Sequence, residues 1–276
     1  MKYLAHYLCW VTLFMLSACG GSNPETPASR SAASPEASQP TLTIATAANV
    51  QFAMEELIRE FKTQTGIDAT SVVSSSGKLT AQIMEGAPYD LLVSANMKYP
   101  TYLQEQGEAV GSVSVYAYGT LVAWSMTGQS LRVTPEYLVE GGISKIAIAN
   151  PKNAPYGEQA INYFKHYGVF EKVEPLLVYG ESIAQTNQYI ISKAAEVGLT
   201  AKSVVLSPEA RGKGRWLELP HSSYAPIEQG VVITRYGNEH HTKESLAFFT
   251  FLFSETAQEI FSKYGYKLPD PDTNTQ

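Results

Sequence analysis

The sequence predicts an α/β protein of two lobes, each a mostly parallel sheet flanked by helices. Three observations carry that prediction. Short β-rich runs alternate with one-faced helical segments from residue 41 onward, the pattern of parallel strands joined by helical crossovers. A long apolar strand, Tyr116-Ala117-Tyr118-Gly119-Thr120-Leu121-Val122-Ala123-Trp124, is placed to carry the chain into a second lobe, where the alternation begins afresh at Lys145. The chain beyond residue 40 is also long enough for two lobes of about a hundred residues each. Residues 41–120 and 226–276 are expected to form lobe 1, and residues 121–225 lobe 2.

The opening segment reads as an address. Lys2 supplies a positive start, residues 8–16 are a short apolar run, and Leu16-Ser17-Ala18-Cys19 has the form of a lipoprotein processing site. The run is too short to span a bilayer comfortably. Residues 1–18 are therefore expected to be a signal peptide, and Cys19 the lipidated first residue of the mature chain. Cys9 would be discarded, so no internal disulfide could form. Residues 20–40 are mostly Gly, Ser, Pro, Ala and Glu, with almost nothing apolar larger than alanine. Such a tether cannot bury enough surface to repay ordering, and stretched out it reaches roughly 60 Å. The expected location is the periplasmic or extracellular side of a membrane, held by lipid. Without Lys2 the chain carries nineteen basic against twenty-six acidic residues, a net −7. Mild acidity with no basic run argues against nucleic acid as a partner.

Thr41-Leu42-Thr43-Ile44-Ala45 alternates like a strand, and Thr46-Ala47-Ala48-Asn49 turns into a helix over 50–65. Val50, Ala53, Met54, Leu57, Ile58 and Phe61 fall on one face of that helix. Asn49 is placed to cap it and Gly66 to end it. A strand over 68–73 leads into Ser74-Ser75-Ser76-Gly77-Lys78 and a short helix. A third strand precedes Ser94, and a third helix covers 98–106. In lobe 2, Lys145-Ile146-Ala147-Ile148-Ala149 is a strand, Asn153-Ala154-Pro155-Tyr156-Gly157 a turn, and 158–167 a helix. Leu176-Leu177-Val178-Tyr179 then leads through Gly180-Glu181-Ser182 to a helix over 183–193. Gly230-Val231-Val232-Ile233-Thr234 returns to lobe 1, and 244–264 is a terminal helical region.

Polar or glycine-containing turns thus precede helix after helix. The first backbone N–H groups of a helix lack intrahelical partners, and its dipole favours negative charge there. Each such turn is a seat for an anion, with Ser75 or Ser76 as cap or ligand and Gly77 permitting close approach. Rival chemistries are poorly supported. Ser75-x-x-Lys78 and Ser94-x-Asn96 match fragments of serine enzymes, but the serine falls in a turn and no Lys-Thr-Gly strand follows. Gly77-Lys78-Leu79 lacks the hydroxyl and the spacing of a phosphate-binding loop. His240 and His241 are adjacent and have no ligand set at metal spacing. No enzyme activity and no metal cofactor are expected. Lys78 is expected to be solvated, and Glu181 to face outward.

Several motifs together resemble the molybdate-binding extracellular component of ABC importers, a family of type II periplasmic binding proteins. They are Ala47-Ala48-Asn49, Ser74-Ser75-Ser76-Gly77, Glu85-Gly86-Ala87-Pro88-Tyr89-Asp90, Ala147-Ile148-Ala149-Asn150-Pro151 with Ala154-Pro155-Tyr156-Gly157, and Tyr264-Gly265-Tyr266. The resemblance covers about residues 42–268. It implies a ligand held between the lobes, a tetrahedral oxyanion that is molybdate and also tungstate, and delivery to an ABC permease by a monomer. Carried over residue by residue, it implies Asn49 and Ser76 as ligands from lobe 1. From lobe 2 it implies the backbone N–H groups of Tyr156 and Ile183, with Ala48 and Gly157 as lesser neighbours. Ala48 stands where some relatives carry threonine, and Ala201 where another branch carries a ligand tyrosine. Sulfate and phosphate remain the alternative oxyanions, although the ligand turns hold no acidic residue except the outward-facing Glu181, which mildly disfavours phosphate.

Overall fold

The structure, a computed structural model, describes residues 41–270. The expected signal peptide, Cys19 and the tether lie outside the described residues. Lobe 1 is built from β1 (Leu42–Ala47), α1 (Gln51–Thr65), β2 (Ala69–Ser74), α2 (Ser76–Met84), β3 (Leu91–Val93), α3 (Lys98–Glu105) and β4 (Ala109–Gly119). Lobe 2 follows with β5 (Leu121–Ser125), α4 (Glu136–Glu140), β6 (Ile146–Ala149), α5 (Pro155–His166), α6 (Phe170–Val173) and β7 (Leu177–Gly180). It continues with α7 (Ile183–Ile191), β8 (Val197–Ala201), α8 (Lys202–Val205) and β9 (Arg215–Glu218). The chain then re-enters lobe 1 with β10 (Ile227–Thr234), α9 (Arg235–His240), α10 (Thr242–Phe251) and α11 (Glu255–Lys263).

The two sheets have the same plan. One has the order β2-β1-β3-β10-β4 and the other β7-β6-β8-β5-β9. In the first, β1 lies parallel to β2 and β3, while β10 is antiparallel to both β3 and β4. In the second, β6 lies parallel to β7 and β8, while β5 is antiparallel to both β8 and β9. Each sheet therefore has one reversed strand, and the other strands run in a common direction. The reversed strands, β5 and β10, are the ones that begin where the chain crosses between lobes.

Strand alternation sorts the lobe 1 core onto two faces. Leu42, Ile44, Leu91 and Val93 pack with α1, whose Phe61 meets Phe248 of α10 edge-on at 4.9 Å. Ala45 and Leu92 point the other way, to Leu79 and Ile83 of α2 and Leu103 of α3. Lobe 2 buries β5, β6 and β8 completely between helices, as strands covered on both faces must be.

Three expectations need correction. The apolar run 116–124 is two strands, because residues on either side of Thr120 pair in different sheets and the Thr120 carbonyl accepts from Lys202 N–H instead. The helix placed at 158 begins at Pro155, whose fixed φ and missing N–H suit a first helical position. The terminal helical region is present as α10 and α11, and the Ser254 side chain caps α11 by accepting from Ala257 N–H. Asn49 does not cap α1; partners distant in sequence claim its side chain, as described below.

Candidate functional site

The carboxyl ends of β1, β2, β6 and β7 face the cleft, and each leads into a helix. At β2, Ser75 holds the extended cap position and Ser76 opens α2. Tyr156 is the second residue of α5, and Ile183 the first of α7. Ala47, Ala48, Asn49, Ser75, Ser76, Ala95, Ala154, Pro155, Tyr156 and Ile183 together line one small cavity between the lobes. As it stands the space is about the size of a single water molecule. Among the described residues, no charged side chain lines it.

The donors around the cavity can be followed bond by bond. Ser76 Oγ accepts from the Ala95 N–H at 3.0 Å, so its own proton remains for a further partner. In α5, Pro155 has no N–H and Gly157 N–H donates to Ala154 O, which leaves Tyr156 N–H as the available donor of that turn. In α7 the Ser182 side chain accepts from Gln185 N–H, and Ile183 N–H has no partner among the described residues. Ala48 lines the cavity, but its N–H donates to Ser74 O at 2.9 Å. Gly157 lies behind the lining; a side chain there would run into the Ala149 carbonyl, which explains the glycine.

Asn49 has a second task. Its Nδ2 donates to Gln229 Oε1 at 2.7 Å and to Tyr266 hydroxyl at 3.1 Å, while its carbonyl accepts from Tyr266 hydroxyl and Ser203 Oγ. Gln229 Oε1 also accepts from Tyr116 hydroxyl at 2.9 Å, and its Nε2 donates to Tyr156 hydroxyl at 3.4 Å. Strand β10, the C-terminal segment and lobe 2 are thus tied together directly beneath the cavity. Burial pushes the Tyr156 and Tyr116 hydroxyls well above the ordinary tyrosine value, with further upward pressure from neighbouring tyrosines. The network is neutral, and it leaves Asn49 its backbone N–H to offer an anion.

Sequence reasoning missed Gln229 and Ser203. Gln229 had a signal, as a polar residue leading into a β-rich run; the structure buries it completely. Ser203 had none. Lys78 and Glu181 are neither solitary nor directed at the cavity. They pair with each other across the cleft at 2.5 Å, with both side chains about half exposed. Beside them, Gly77 N–H donates to Asn153 O at 2.9 Å, a further bond from lobe 1 to lobe 2. A larger, open groove between α2 and α3, lined by Met84, Met97, Tyr99 and Tyr102, is mainly apolar and carries Glu85 and Glu105 against the single Lys98, a lining less suited to an anion.

Comparison with known proteins agrees with this architecture. Residues 42–267 match the family of bacterial extracellular solute-binding proteins. The molybdate-binding protein ModA of Rhodobacter capsulatus is 38% identical over 224 residues, covering 80% of this chain and 86% of its own. The solved structure of the Azotobacter vinelandii periplasmic molybdate-binding protein superposes with a TM-score of 0.77 at 33% identity, over 83% of this chain and 100% of that one. YvgL of Bacillus subtilis, whose name describes a candidate ABC-transporter substrate-binding lipoprotein, is 27% identical over 275 residues, 96% of this chain and 98% of its own. The chain is a binding protein rather than an enzyme, and it belongs to the bacterial extracellular solute-binding protein family, alongside the ModA proteins.

Proposed function

We propose that this protein captures molybdate outside the cytoplasmic membrane and delivers it to an ABC import permease. The observation that carries the reading is the cavity itself: small, between the lobes, free of charged side chains, and faced by Ser76 and the first turns of α5 and α7. Each helix dipole contributes about 0.3–1 kcal/mol toward an anion. Each hydrogen bond to a charged oxygen adds about 1.5–3 kcal/mol. Fixed neutral donors can therefore hold a dianion without a counter-cation. Asn49, Ser76, Tyr156 and Ile183 are the ligands in this reading, Asn49, Tyr156 and Ile183 through backbone N–H groups. Ala48 and Gly157 shape the turn and the helix start. Tungstate has the same charge and shape and should bind too. A set of donors with no carboxylate acceptor suits a fully deprotonated ion better than protonated phosphate.

Binding is proposed to draw the lobes together, with Lys78–Glu181 and Gly77–Asn153 as the contacts made across the cleft. The protein would act as a monomer without a resident cofactor, anchored by lipid on Cys19. The alignment with YvgL, spanning 96% of this chain, takes in part of the leading segment and supports that anchor. Isothermal titration of the detergent-purified full chain with molybdate, tungstate, sulfate and phosphate tests the substrate. Tight one-to-one binding of the first two is expected. Binding of sulfate or phosphate alone would move the substrate, and no binding by folded, ligand-stripped protein would reject the reading. Cys19→Ser should release the protein from membranes.

A further inference from the structure

We infer that the Ser75 hydroxyl is a further ligand of the bound oxyanion, kept without a partner inside the protein for that role. This rests on the functional reading above and adds a side chain which that reading did not assign. Ser75 occupies the cap position of α2 in extended conformation, where a serine normally accepts from the second or third N–H of its helix. It makes no such bond. One of its usual donors is diverted, because Gly77 N–H is drawn across the cleft to Asn153 O. The side chain is only 3% exposed, its Oγ has no hydrogen-bond partner, and the residue lines the cavity.

A buried hydroxyl without a partner is costly, and proteins seldom retain one without a use. The cavity supplies the use. Ser76 Oγ accepts from Ala95 N–H and has one proton to give; Ser75 Oγ has its proton and both lone pairs free. Two consecutive hydroxyls on one tight turn can serve different oxygens of a tetrahedral ion. The neighbouring helix start adds the favourable dipole. The seat at α2 would then hold two side-chain donors.

The alternative role, a plain helix cap, predicts a different pair of results. Replacing a working cap lowers stability, whereas removing an orphan hydroxyl leaves stability unchanged or raises it. The experiment uses the full chain in detergent, with molybdate titration calorimetry and ligand-free thermal melting of wild type, Ser75→Ala and Ser75→Gly. Both variants are expected to melt at or above the wild-type temperature and to bind molybdate roughly 10- to 100-fold more weakly. Variants that bind within twofold of a wild type that binds well would overturn the inference and leave the functional reading standing. Lower melting temperatures with unchanged affinity would make Ser75 a cap and overturn it equally. A wild type that does not bind molybdate would reject the functional reading, and this inference with it.

Discussion

Gly77→Ala separates ligand binding from fold stability with one methyl group. A Cβ at Gly77 would lie 2.8 Å from Asn153 Cβ, 2.9 Å from Asn153 Cα and 2.8 Å from Tyr99 hydroxyl. The Tyr99 side chain can yield, but the Asn153 backbone belongs to lobe 2 and can yield only if the lobes part. Overpacking of this kind costs about 1–3 kcal/mol. Parting the lobes also stretches the 2.9 Å bond from Gly77 N–H to Asn153 O, worth about 0.5–1.5 kcal/mol. Together these raise the molybdate Kd roughly 10- to 2,000-fold. The ligand-free protein should not suffer, because alanine is favoured over glycine within a helix by about 0.5–1 kcal/mol. Titration calorimetry and thermal melting of the same preparation read both quantities. A Kd within threefold of wild type, with melting unchanged, would refute the idea that this contact closes over the ligand.

Neutralising Lys78 or Glu181 should accelerate molybdate release modestly, about 1.5- to 5-fold, because half-exposed pairs are worth about 0.2–1 kcal/mol. Stopped-flow release from the single variants and the double variant should show the coupling at low salt and lose it near 1 M salt. Affinity should be flat between about pH 6 and 9, since no charged side chain lines the cavity and burial holds the Tyr156 hydroxyl protonated. A change beyond threefold in titrations across that window would reveal a titrating group at the site. Glu56 carries a pH-dependent share of stability. Burial raises its pKa, but hydrogen bonds from Lys263 and Tyr264 outweigh that and leave it below the usual 4.5. A depressed carboxylate stabilises above its unfolded value, and this is lost as pH falls through the folded one. Glu56→Gln should therefore melt lower than wild type at neutral pH and converge with it in acid; a constant difference would refute the linkage.

The sequence alone determined the architecture and the places where a ligand could sit. One-faced periodicity at Val50, Met54, Leu57 and Phe61, and alternation in Leu42-Thr43-Ile44, are local properties set by the repeat of helix and strand. Helix starts at Ser76 and Ile183 were legible for the same reason, as cap chemistry is written within a few residues. Boundaries that depend on pairing were not. Nothing local says that β5 and β10 run against their neighbours. Residues far apart in the chain decided the side-chain roles. Asn49 and Gln229 meet across 180 positions, which turns an expected cap into the centre of a buried network. Lys78 and Glu181 meet across the cleft, which turns two expected surface charges into a bond between lobes. Hydrogen-bond partners compete through space, so which donor stays free for an anion is settled only once the lobes are folded against each other.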